Sequence, residues 1–245
     1  MAWQTPKTDW TSVDGVRYSD LNRMEGNMLE LYNIDGLRAD RVVYVNASTG
    51  NDTTGIGSAS APFKTITKAL GSIPCNLNGK SVILSISAGS YPEAVTIKGF
   101  DGPLTINGSN GTVNVNSLRV EGCFCTLTNI VLTTSSAVFI MDGASLVGNG
   151  SLVVSGSYVR VGYSSRLSLA SVACHDNSSF AVVVDDASIF NAMDLRGDNN
   201  ANGISCQGGS IVAFGDINME VSSIAYFTAM GGRIYSGAQA MSDLP

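Results

Sequence analysis

Charge is scarce in this sequence. Asp, Glu, Lys and Arg together make up 14% of its 245 residues, well below the ~25% usual for globular chains. No block of Lys or Arg breaks a net charge of −6, which argues against nucleic acid as a partner. No run approaches the ~18 apolar residues of a membrane span, so no membrane insertion is expected. The opening MAWQTPKTDWTSVDG has no apolar core region and does not read as a secretory signal peptide. Histidine occurs once, at 175, and a lone histidine reads as structural or merely exposed. Cys75, Cys123, Cys125, Cys174 and Cys206 are an odd count. Without a signal peptide they predict reduced, buried thiols rather than a disulfide framework. Cys123 and Cys125, two apart, face one side of a strand, but no His or second Cys pair joins them in a metal-ligand pattern.

Small polar residues are abundant instead. There are 27 glycines, many Ser, Thr and Asn, and a hydrophobic fraction of 44%, enough for a sizeable core. Such a balance suits stacked strands and tight turns. Residues 1–40 form one unit, with a helix expected from Asp20 to Asn33 behind Ser19 as N-cap. Its apolar positions Leu21, Met24, Met28 and Leu31 step by 3, 4 and 3, the seam spacing of a coiled coil. Two heptads are fewer than a persuasive coiled coil shows, so a helix packed on its own domain stays open. Residues 41–79 follow. VVYV reads as a strand, a Gly-rich loop comes next, and a helix over 62–73 is predicted to bury Ile66, Ala69, Leu70 and Ile73 before Pro74 ends it. Strand, Gly-rich loop and helix is the order of a phosphate-binding loop. Here Ile56-Gly57 stand where Lys-Ser/Thr is required, and Lys64-Thr65 come too late, inside the predicted helix.

From residue 80 to 245 short β-rich runs repeat. Leu146, Leu167, Ile189, Ile211 and Ile234 are 21, 22, 22 and 23 apart. Ala137, Tyr158, Phe180, Gly203 and Ile224 form a second column with gaps of 21, 22, 23 and 21. A period near 22 without helical phase predicts an all-β parallel β-helix, with room for about seven coils at a rise of ~4.8 Å each. The predicted helix at 62–73 is placed to cap its first coil.

Two stretches resemble known families. VYVNASTGNDTTGIGSASAPFKTITKALGSI (43–73), continued by SISAGSYPEAVTI (85–97), resembles the opening segment of pectate-lyase-like right-handed β-helix proteins. That resemblance implies a right-handed coil and a capping helix; the fold hosts lyases, hydrolases and adhesins alike. WQTPKTDWTSVDGVRYSDLNRMEGN resembles the N-terminal anchor of tail fibres and receptor-binding proteins from phages and prophages of Gram-positive bacteria. The matching residues are Trp3, Pro6, Lys7, Thr8, Asp9 and Trp10, then Asp20, Asn22, Arg23, Glu25 and Asn27. The resemblance implies a homotrimeric, tailspike-like virion protein assembled in the host cytoplasm. Residues 1–40 would join other tail or baseplate proteins and the β-helix would face the host surface, with a surface glycan as a candidate partner. In such a chain the Asn-x-Ser/Thr matches at Asn46, Asn51, Asn107, Asn110, Asn149 and Asn177 are accidents of composition.

Candidate chemistry is limited to acidic residues. Asp176, Asp198 and Glu220 are spaced 22 and 22, as one column of stacked carboxylates would be, and Asp194 and Asp216 make a second pair. Stacked carboxylates repel unless protonated, cation-bound or well solvated. Carboxylates about 5–5.5 Å apart serve a retaining glycosidase and about 6.5–9.5 Å an inverting one. Solvated turn residues beside Asn177, Asn199 and Asn200, a cation site, and catalysis are therefore all readings of this column. Arg160, Arg166 and Arg196 are scattered and form no lyase-like cluster. The expectation is a non-enzymatic tail protein without cofactor. A glycan depolymerase and a purely structural baseplate or collar component are the alternatives.

Overall fold

One buried column organises the molecule. Val82, Leu104, Cys125, Leu146, Leu167, Phe190, Val212 and Ile234 are Cα partners in succession down parallel strands, and none is more than 1% exposed. The structure, a computed structural model, describes Thr5, Thr11, Gly15 and residues 17–34, 36–208, 210–223, 226–236 and 239–240. Its elements in chain order are α1 (Tyr18–Ile34), β1 (Arg41–Val45), α2 (Ile66–Gly71), β2 (Val82–Ile86), β3 (Gly89–Lys98), β4 (Leu104–Glu121), β5 (Phe124–Thr134), β6 (Val138–Met141), β7 (Ser145–Gly148), β8 (Ser151–Ser155), β9 (Val159–Val161), β10 (Arg166–His175), β11 (Phe180–Val184), β12 (Ile189–Asn200), β13 (Asn202–Cys206), β14 (Ile211–Val221), β15 (Tyr226–Thr228), β16 (Arg233–Ser236) and β17 (Gln239–Ala240).

The ladders join into a three-sided parallel β-helix. The first face stacks β1, β2, the starts of β4 and β5, β7, the starts of β10, β12 and β14, and β16. The second face carries β8 and the later parts of β5, β10, β12 and β14. On the third, Val95, Leu118, Val138, Val159, Val182, Ile204 and Tyr226 stack. Alternation along each strand turns these side chains inward. The one antiparallel pair among the named strands is β16 with β17.

The coil length varies around the wall, which shifts the expected register. The step from Leu146 to its partner Leu167 is two places shorter than the step from Leu167 to its partner Phe190. The extra length enters at one corner: Val154 pairs with Cys174, 20 apart, whereas Val159 pairs with Val182, 23 apart. The inserted corner, Asp176 to Ser179, is held by buried Asn177, whose amide donates to the carbonyls of Ser157 and Phe180 at 2.8 Å each. The core column therefore passes through Phe190 and Val212. Ile189 and Ile211, expected in it, sit one place outside, paired with Arg166 and Arg233. A second buried polar ladder supports the next corner: Ser188 Oγ accepts from Ser165 N–H and Ser210 Oγ from Ser188 N–H, both at 3.1 Å.

Both predicted helices form with altered ends. α1 starts at Tyr18, so Ser19 lies inside it; Asp20 Oδ2 accepts from Arg17 N–H at 3.1 Å and closes the first turn. The second helix is shorter than 62–73. Phe63 bridges to Val45 as strand, and Thr65 is the N-cap of α2, its side chain accepting from Lys68 N–H. Lys64 and Thr65 thus precede the helix, and the helix stops at Gly71 ahead of Pro74. The expected apolar face is correct: Ile66, Ala69, Leu70 and Ile73 are buried in the same core, and α2 packs on β1 and β3 at the first coil.

All five cysteines are free thiols. Cys123, Cys125, Cys174 and Cys206 are buried as expected, and burial raises each thiol's pKa, that of Cys174 to about 12. Cys75 departs from the expectation and is exposed, in the connection after α2.

Candidate functional site

The loop that imitates a phosphate site already holds its anions. Asp52 Oδ1 accepts from the N–H groups of Lys64 and Thr65 at 2.8 and 3.1 Å, and its Oδ2 from the Thr65 hydroxyl at 2.8 Å. Glu93, reaching up from β3, accepts from Ile66 N–H at 2.8 Å, Thr67 N–H at 2.9 Å and the Thr67 hydroxyl at 2.5 Å. Two carboxylates therefore take the unpaired donors at the start of α2 that a phosphate would otherwise claim. Burial pushes the Asp52 carboxyl up, but the hydrogen bonds from Thr65 and Lys64 outweigh it and hold the group below the usual carboxylate range. The pattern of glycines gave no hint of these two carboxylates, because Asp52 and Glu93 are both far along the chain from the groups they hold.

The acidic column does not stack as spaced. At this corner Ala173 pairs with Arg196, one place beyond a step of 22. Asp198 Oδ1 meets His175 Nδ1 at 2.5 Å, while Asp176 Oδ1 accepts from Asn199 Nδ2 at 3.1 Å. The ladder further shifts between Gly197, which pairs with Met219, and Asn200, which pairs with Val221, so that Asp198 and Asn199 together stand opposite Glu220; the Glu220 side chain lies outside the described residues. The second pair is correctly placed in the backbone, since Asp194 and Asp216 are Cα partners. Each described carboxylate of the expected column thus faces an imidazole or an amide rather than another carboxylate.

Ser155 pairs with His175 across β8 and β10, so Ser155, His175 and Asp198 lie on three successive coils. The order is that of a nucleophile, base and orienting acid, but the contacts are not. Ser155 Oγ approaches Asp176 Oδ2 at 3.5 Å, and the imidazole is 32% and the Asp198 side chain 57% exposed on the outer wall. Among the described residues no group of three or more His, Cys, Asp or Glu side chains converges as a metal site.

At the N-terminus, Trp3, Pro6, Lys7, Thr8, Asp9 and Trp10 lie outside the described residues, as does the side chain of Leu31. Within α1, Asp20 is buried and its carboxylate lies 3.4 Å from Arg23. Asn22 and Glu25 are exposed and Asn27 is half-buried. The seam residues Leu21, Met24 and Met28 are 47%, 57% and 66% exposed. No family profile, curated protein or solved structure matches the chain.

Proposed function

We propose that this chain is a structural tail protein of a phage or prophage, a homotrimer in which residues 1–40 attach to the tail or baseplate and the β-helix faces the host surface. The observation that carries the reading is the apolar seam of α1. Leu21, Met24 and Met28 recur at coiled-coil spacing on a helix that leaves all three in solvent, which is costly for a lone chain and suited to packing against copies of itself. The Trp-x-x-Pro-Lys-Thr-Asp-Trp and Asp-x-Asn-Arg-x-Glu-x-Asn stretches supply the tail assignment by resemblance. The scaffold supports the same reading: parallel coils with buried ladders make a stiff spacer, and the polar outer wall is free to meet a surface.

Sedimentation equilibrium of the full chain tests the assembly, with three copies expected and a monomer counting against it. Immunogold labelling of assembled tails tests the location; tails complete without this chain would end the virion assignment.

A further inference from the structure

A tight turn lies beside the strap, residues 36–40, that leads from α1 into β1. Leu77 to Lys80 close on the Lys80 N–H, which donates to the Leu77 carbonyl at 2.8 Å. Asn78 and Gly79 between them are both at positive φ, 50° and 69°, and Asn-Gly suits the two central places of such a turn. The strap is tied to this corner twice. Leu37 N–H donates to the Asn76 carbonyl at 3.0 Å, and Asn78 Nδ2 donates to the Leu37 carbonyl at 3.4 Å. Leu37 is buried, whereas Asn78, Gly79 and the neighbouring Arg38 are exposed.

Asn precedes Gly at Asn78, Asn107, Asn110, Asn149 and Asn202. In such a pair the glycine nitrogen can attack the side-chain carbonyl carbon of the asparagine, because no Cβ stands in its way. Four of the pairs are held away from that reaction. Gly108 and Gly111 are fixed in β4 opposite Ile86 and Ile130, and Asn202 in β13 opposite Phe180. Gly150 commits its N–H to the Leu127 carbonyl at 3.1 Å. Gly79 differs on both counts. Its nitrogen enters no backbone hydrogen bond among the described residues, and nothing lies within 4 Å of the place a Cβ would take. One exposed hydrogen bond, from Lys80 to Leu77, is all that must open for the turn to rearrange.

We infer that Asn78 is a site of spontaneous deamidation, with water as co-reactant, and that its conversion loosens the strap. The Gly79 nitrogen gives up its proton and bonds to Asn78 Cγ; the Cγ–Nδ2 bond breaks and ammonia leaves. Water then opens the cyclic imide at either carbonyl, which yields aspartate at 78 or an isoaspartate whose backbone runs through the former side chain. The sum is amide and water to carboxylic acid and ammonia, with no change of oxidation state. Both products lack the donor that the Leu37 carbonyl now takes and set a carboxylate beside it. The corner already holds two carboxylates: Asp101 accepts from Leu77 N–H at 2.6 Å and Asp40 from Ser81 N–H at 2.8 Å. The added charge is repelled by both, and isoaspartate also lengthens the turn by one backbone carbon.

The test holds the purified full chain in warm, mildly alkaline buffer and follows it by peptide mapping. Asn78 is expected to lose its amide at least tenfold faster than Asn107, Asn110, Asn149 and Asn202, and faster still as pH rises, because the attacking nitrogen must be deprotonated. Limited trypsin digestion reads the strap. Cleavage after exposed Arg38 should run several-fold faster in the aged protein and in Asn78→Asp than in fresh wild type. Asn78→Gly, which keeps a residue at ease with positive φ and has no amide to lose, should show no such rise on ageing. An Asn78 that keeps its amide as long as the strand asparagines would overturn the site. Conversion at 78 with unchanged cleavage after Arg38 would overturn the loosening. Should Asn78→Gly not fold, the wild-type map and the Asn78→Asp digest still decide both points.

Discussion

Asp52 and Glu93 occupy the position that an anionic ligand takes at other Gly-rich loops, and the charge of Asp52 makes the cap sensitive to acid. Asp52 accepts three hydrogen bonds from Lys64 and Thr65. Replacing it with Ala leaves those donors to water and is expected to destabilise the protein by about 1–2 kcal/mol at neutral pH. The sign of the pH dependence follows from the lowered pKa of the folded state. A depressed carboxylate adds stability above its unfolded value, roughly pH 4, and that increment disappears as pH falls through the lower folded value. Urea midpoints of wild type and Asp52→Ala should therefore differ at neutral pH and converge in strong acid. A gap that persists unchanged in acid would mean that the carboxylate's charge is not what holds the cap.

Among the elements, α1 is the one whose apolar face the described fold leaves in solvent. Leu21→Asp and Met28→Asp are substitutions at exposed positions, so each should leave the β-helix intact and weaken self-association, by about 1.5–3 kcal/mol for each apolar side chain no longer buried. Sedimentation velocity should show the double variant shifting toward monomer with its strand circular dichroism unchanged; a double variant that stays as associated as wild type would place the contact elsewhere. The helix itself was legible because the spacing of its apolar residues carries it. The apolar face of α2 was legible for the same reason, but its start was not. Phe63 continues β1 as a bridge, and that pairing depends on a loop whose geometry is set by Asn46, Asn51 and Asp52 accepting backbone N–H groups. The β-helix period was legible as well, since Leu146, Leu167 and Ile234 do share the core column. The error of one place at Ile189 and Ile211 has a single cause. A constant gap near 22 cannot reveal a corner at which the step from Val159 to Val182 is three places longer than the step from Val154 to Cys174. The same slip turned Asp176 and Asp198 into an apparent carboxylate stack. Expected sites that depend on register are thus the first to fail when corners differ in length, whereas the buried face of α2, set by one helix alone, is unaffected.

For the whole molecule, each coil touches mainly the coil above and the coil below, so stability is close to a sum of coil and interface terms. That makes length a separable property of the rod. Removing residues 147–167 takes out one full coil and joins Leu146 to Ser168, so that Leu146 moves into contact with Phe190 in the same core column. Val138 and Val182 become neighbours on the third face by the same step. The cost is Arg160, whose ion pair with Asp185 at 2.7 Å is lost, and the Ser157 carbonyl that anchors Asn177. The shortened protein is expected to keep a β-rich spectrum and to unfold cooperatively, at a lower midpoint than wild type. Removing residues 147–157 deletes only part of a coil, sets first-face strands against third-face strands, and turns core residues such as Leu167 out of the column. It should not fold. Circular dichroism and differential scanning calorimetry on the two deletions decide the matter. If both fold, register is not what holds the wall; if neither does, the coils are not the independent units that their ladders imply.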